Sequence, residues 1–154
     1  MSFSRKAVLA LTGIAALAMP LAVAGSASAA TDARCTVTPL KPVFDHVNSS
    51  GEKVIKYETE VTCSAGRSIE ILDERRDHDN LSTDDFEGSN TYNLRFDSTE
   101  TVTKYVLAVL PDADGWGDNN EEMYHSVGFQ VTEDNGYVSQ WTNWEDSAIV
   151  TFHL

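Results

Sequence analysis

Residues 54 to 63 read Val-Ile-Lys-Tyr-Glu-Thr-Glu-Val-Thr-Cys; on an extended chain Ile55, Tyr57, Val61 and Cys63 share one face, while Lys56, Glu58 and Glu60 share the other. That alternation predicts a strand with one buried face. The same period of two recurs at Ile69 and Ile71, within 67–73, and at Tyr92, Leu94 and Phe96, within 91–96. Between these segments, 74–90 is polar and charged with only Leu81 and Phe86 to bury, which predicts a long loop in which Thr83 caps one helical turn. Tyr105-Val106-Leu107-Ala108-Val109-Leu110, inside 101–110, is apolar on both faces and predicts a central strand ended by Pro111. Asp134-Asn135-Gly136 is a strong hairpin signal joining strands expected at 124–132 and 137–142, and a last strand is expected at 148–154. No segment carries the period of an ordinary helix. Seven or eight short antiparallel strands separated by turns define an all-β, immunoglobulin-like sandwich.

The two cysteines fit into this pattern as a disulfide. Cys35 and Val37 share a face, and the turn signal Asn48-Ser49-Ser50-Gly51 lies midway between Cys35 and Cys63, so folding back around it sets the cysteines opposite each other. A bridge closing that loop contributes roughly 3 to 4 kcal/mol on the chain-entropy model. There is no C-x-x-C spacing and no histidine in ligand register, which argues against a redox or metal role. The sandwich also departs from a true immunoglobulin domain, where a Trp stands between the bridged cysteines; here Trp116, Trp141 and Trp144 all follow Cys63.

A disulfide implies an oxidising compartment, and the start of the chain supplies a route to one. Arg5 and Lys6 precede an apolar stretch at 7–24, interrupted by Pro20, and Ala27-Ser28-Ala29 is a small-residue cleavage site. Residues 1–29 are therefore expected to be a secretory signal peptide, and 30–154 a single exported, extracellular domain with no membrane-spanning segment.

Charge narrows the partners. The chain carries 24 Asp and Glu against 11 Lys and Arg, a net charge of −13. Removing Arg5 and Lys6 with the leader deepens the imbalance by two charges. Such a surface repels phosphate backbones and anionic lipid, which excludes nucleic acid and electrostatic membrane attachment and favours partners with a basic surface.

Four features are candidates for function. In 112–122, Asp112, Asp114, Asp118 and Asn120 match positions one, three, seven and nine of a twelve-residue calcium loop, with Gly117 at position six. The match stops at Trp116 in position five and Met123 in position twelve, so calcium is a candidate cofactor and a solvated acidic connection the competing reading. Trp116, between two glycines, and Trp144 are candidate binding aromatics, since a flat ring offers contact area at low entropy cost. Asp77-His78-Asp79 holds metal-ligand residue types, but neighbours on an extended chain point to opposite faces, which makes it a charged loop. The stretch 30–34 and the C-terminal strand are candidates for adding to a partner's sheet. No G-x-S-x-G, no H-E-x-x-H and no nucleophile beside a base is written in the chain, so no catalytic residues are assigned and the protein is expected not to be an enzyme.

In its size, leader, two-cysteine economy and acidic β-rich body, the chain is similar to the small adaptor subunits of the umbrella toxin particles secreted by actinobacteria. The resemblance covers architecture over 30–154 and implies a subunit joining a lectin-bearing chain to a larger toxin chain; it transfers no site residues. The expected function is a non-catalytic secreted binding or adaptor module for other extracellular proteins. The competing readings are a carbohydrate-binding domain using loop aromatics, with or without calcium, and a secreted inhibitor or small hydrolase.

Overall fold

The alternating segments become strands in the computed structural model of the protein, which describes residues 29–78, 83–111 and 120–153. They are β1 (Ala30–Asp32), β2 (Cys35–Pro39), β3 (Val43–Val47), β4 (Lys53–Cys63), β5 (Arg67–Asp77), β6 (Asp85–Phe96), β7 (Glu100–Val109), β8 (Asn120–Glu133), β9 (Glu145–Asp146) and β10 (Val150–His153). All strand pairs are antiparallel, in two five-stranded sheets, and no helix occurs among the described residues.

In the first sheet β4 is the centre. β7 pairs along β4 from Val54 to Cys63, which occupies one flank; β2 and β3 divide the other flank, and β1 adds outside β2. In the second sheet β5 runs along one flank of β8 from Met123 to Glu133, β6 lies outside β5, and β10 and β9 take successive parts of the far flank of β8. β4 thus lies between β2 and β7 as strand B lies between A and E in an immunoglobulin domain, and β8 lies between β5 and β10 as F lies between C and G. The disulfide joins Cys35 and Cys63, which are register partners on β2 and β4 with Cα atoms 4.2 Å apart. It lies within one sheet, as the turn at 48–51 predicts, and not between sheets as in antibody domains.

The interior divides along the strands. Around the disulfide, Val37, Val61, Ile69, Ile71, Phe96, Phe129 and Val131 form a buried apolar cluster; at the other end Ile55, Tyr57, Leu110 and Met123 form a smaller one.

Four expectations are corrected. The long loop at 74–90 is mostly strand: β5 continues to Asp77 and β6 begins at Asp85, because Asp73, Arg75 and Asp77 continue the inward period of Ile69 and Ile71 with polar side chains. The run at 101–110 is not central but an outer strand, apolar on both faces because one apolar face stands in solvent. The stretch 30–34, a candidate for adding to a partner's sheet, is engaged in the protein's own, since Ala30 to Asp32 pair with β2 and Ala30 is buried in the core. Finally, 137–142 follows β8 irregularly, through the bridge between Thr132 and Val138 and through Ser139 and Thr142, without forming a regular strand. The turn before it is as expected, with Gly136 at φ +84°.

Candidate functional site

The two outer strands β6 and β7 are joined by residues 97–99 and stand on the same side of the sandwich, one in each sheet. Among the described residues β7 pairs only with β4, so one flank of a ten-residue strand keeps its backbone groups available. Its outward side chains Tyr105, Leu107 and Val109 are 60%, 43% and 46% exposed. Its inward residues Val102, Lys104, Val106 and Ala108 are only half-buried, since among the described residues no further strand lies beside β7. A long, apolar, uncapped edge is a template for a strand from another chain.

Behind this edge lies a layer of buried polar side chains. His125 on β8 is fully buried; its Nδ1 lies 2.9 Å from Asp73 Oδ1 and its Nε2 2.7 Å from the carbonyl oxygen of Leu40. The carbonyl can only accept, so Nε2 is the donor to Leu40, and Nδ1 faces the Asp73 carboxyl. Thr59 donates its hydroxyl to Asp73 Oδ2 at 3.0 Å. These bonds tie β5 and β8 to β4 and to the end of β2. Arg75 lies with its guanidinium carbon 6.0 Å from the Tyr57 ring centroid and donates to Asn90 at 2.5 Å. Gly88, opposite Arg75 in the register, has φ +131°, and a Cβ there would lie 2.5 Å from the guanidinium; a larger residue would expel the arginine. Asp77 accepts the backbone N–H of Glu122 at 3.0 Å. Burial pushes the Tyr57 hydroxyl well above the ordinary phenol range and the Tyr92 hydroxyl up to about 12, against the lowering influence of Arg75 in both cases. Burial, then Asp77 and Asp85, raise Glu87.

The Asp73–His125 pair has two parts of a hydrolytic triad but not its function. His125 Nε2 is spent on a carbonyl and sealed from solvent, and the nearby Ser147 hydroxyl accepts the backbone N–H of His125 without touching the ring. The arrangement can fasten two sheets; it cannot take a proton from a substrate.

Asp112, Asp114, Trp116 and Asp118 lie outside the described residues. Asn120, the fourth candidate calcium ligand, is a strand residue of β8 whose side-chain oxygen contacts the ring of His153. Glu121 turns inward and is fully buried. Trp144 stacks over Gly128, 3.7 Å from the position a Cβ would take, and remains half-exposed. Trp141 is likewise exposed and not in the core. Within the charged run at 77–79, Asp77 is buried and His78 bonds Asp84 at 3.1 Å, so the two diverge. The features missed in the sequence are the edge on β7 and the polar layer; the signal for the latter was the unbroken period from Ile69 through Asp77. Among the described residues no group of three or more His, Cys, Asp or Glu is arranged to hold a metal ion, and no helix is long and apolar enough to cross a membrane. Comparison with models of known protein families and with curated proteins returns no match to this chain.

Proposed function

We propose that the protein is a non-catalytic secreted adaptor that binds a larger extracellular protein by accepting one of its strands on the β7 edge. The observation that carries this reading is the ten-residue flank of β7, unpaired among the described residues and bearing Tyr105, Leu107 and Val109 outward. Main-chain hydrogen bonds along that flank supply affinity, and the half-buried Val102, Val106 and Ala108 supply apolar contacts to alternate side chains of the incoming strand. With a net charge of −13 the partner segment is flanked by basic residues, which steer its approach. The disulfide is compatible with an extracellular setting. Membership of a secreted antibacterial toxin particle, which the adaptor resemblance implies, is the fuller form of this proposal.

Native purification from culture supernatant tests it. The expected result is a stoichiometric complex with a larger secreted chain, lost when Leu107→Lys places a charge on the edge, while thermal melting of the variant stays near that of the parent. Recovery as a lone monomer, or a complex indifferent to Leu107→Lys and to Val106→Pro, overturns the reading.

A further inference from the structure

On the opposite side of the sandwich, between β1 and residues 137–145, lies an open hollow of about 460 Å³ lined by Asp32, Tyr137, Gln140, Trp141, Asn143 and Glu145 among others. We propose that this hollow is a saccharide-binding site for a neutral or amino-bearing hexose chain. Tyr137 and Trp141 are 57% and 46% exposed and both line the hollow, in a mostly polar surface, which is costly for rings left uncovered. A pyranose has an apolar C–H face that stacks on such a ring and a rim of hydroxyls that donate to carboxylates and amides, and the hollow places both kinds of group together.

The segment is built to hold these side chains still. Val131 N–H donates to Ser139 Oγ at 3.0 Å and Phe129 N–H to Thr142 Oγ1 at 3.1 Å, while Ser139 and Thr142 return their own N–H groups to Val131 and Phe129 at 2.8 and 2.9 Å. Four bonds to β8 therefore fix the backbone on both sides of Gln140 and Trp141 and leave those two side chains pointing to solvent. A preordered platform loses little entropy when a ligand lands on it. The sign of the lining selects the ligand: Asp32 and Glu145 contribute two carboxylates, no lysine or arginine is among the lining residues, and the α-amino group that cleavage after Ala29 would free at Ala30 offsets only one of the two charges, so the net negative lining disfavours uronic and sialic acids and attracts an ammonium on an amino sugar. The site shares no residue with the β7 edge.

Isothermal titration of the purified protein with cellotetraose, chitotetraose and the deacetylated glucosamine tetramer, with polygalacturonate as the anionic control, decides the matter. The expected result is binding of at least one of the three tetramers with a Kd below about 1 mM and none of polygalacturonate. Trp141→Ala and Tyr137→Ala should each weaken that binding at least tenfold, and Glu145→Gln should weaken the glucosamine tetramer most. If Trp141→Ala fails to fold, judged by its melt, Gln140→Ala takes its place. Absence of binding to all three tetramers, binding of polygalacturonate, or a folded Trp141→Ala that binds as well as the parent overturns the proposal. Leu107→Lys, which tests the adaptor edge, should not alter any of these titrations.

Discussion

The two halves of the interior are held together by different physics. Around the Cys35–Cys63 bridge the core is Val, Ile and Phe, and it would accept many arrangements of similar volume. In the other half, the inward period of β5 continues with Asp73, Arg75 and Asp77 against His125 of β8 and Thr59 of β4. A slip of two residues, which keeps each strand's buried face inward, exchanges one hydrophobic contact for another in the apolar half. The same slip in the polar half also strips a carboxylate, an imidazole and a guanidinium of their partners. The apolar half supplies most of the driving force for collapse, and the polar half makes only one register acceptable.

The largest effect that can break this comparison is loss of Asp73. Asp73→Ala leaves His125 Nδ1 and the Thr59 hydroxyl buried without their acceptor, and the expected cost is about 3 to 5 kcal/mol in urea unfolding. Replacing both partners, Asp73→Leu with His125→Leu, should cost clearly less than the sum of the single changes, because neither member of the pair is left facing an empty place, although the Thr59 hydroxyl and the Leu40 carbonyl still lose a partner. Strict additivity would show that the pair does not act as a unit. Next in size is the bridge. Cys35→Ala with Cys63→Ala, compared under the same conditions, should lose roughly 3 to 4 kcal/mol for a loop of this length. That variant should keep its native register, read by hydrogen exchange across β5 and β8, since the polar half still specifies it; a redistributed exchange pattern would assign the register to the bridge instead.

Much of this was legible in the chain. The alternation at 54–63, the turn at 48–51 and the spacing of the cysteines lead directly to β4, its partner β2 and the bridge. The polar half was not legible for a physical reason: pattern reading equates inward with apolar, and Asp73, Arg75 and Asp77 are inward and charged, so a strand read as a loop. The mirror error befell β7. Tyr105, Leu107 and Val109 are apolar and outward, and a strand apolar on both faces reads as central until its neighbours are counted. Both departures mark places where burial and hydrophobicity part company, and such places are where strain and function concentrate. The hollow was half-legible: aromatic residues were expected at a binding surface, with Trp144 among them, but it is Trp141 and Tyr137 that line it.

Alkaline pH probes the polar half more gently. The Tyr92 hydroxyl is buried without a hydrogen-bond partner among the described residues, and burial raises it to about 12, Asp73 adding to the rise and Arg75 opposing it. The folded state therefore prefers the neutral phenol more than the unfolded chain does. Its contribution is complete below the ordinary value of about 10 and is lost as pH climbs from there towards 12. Tyr92→Phe removes both the unsatisfied hydroxyl and this titration. The variant should match the parent within about 0.5 kcal/mol at pH 7 and lose stability less steeply above pH 10. Equal alkaline slopes in paired urea titrations would remove Tyr92 from the polar layer's pH response.

The smallest effect concerns Glu87, at the rim where the polar layer meets the open side. Burial raises its carboxyl, with Asp77 and Asp85 adding like-charge repulsion and Arg75 opposing them. Because the folded value lies above the unfolded one, the fold favours the protonated acid. That contribution is present below the ordinary carboxylate range and is lost as pH rises through the raised value. At pH 7 the ionised group is thus a small net burden, screened by its partial exposure to solvent. Glu87→Gln should stabilise the protein at pH 7 by less than about 0.5 kcal/mol and make no difference near pH 3, read as paired thermal melts. A variant less stable than the parent at pH 7 would mean that the attraction of Arg75 outweighs burial and repulsion together. Glu87 would then belong to the bonded interior of the polar half and not to its exposed margin.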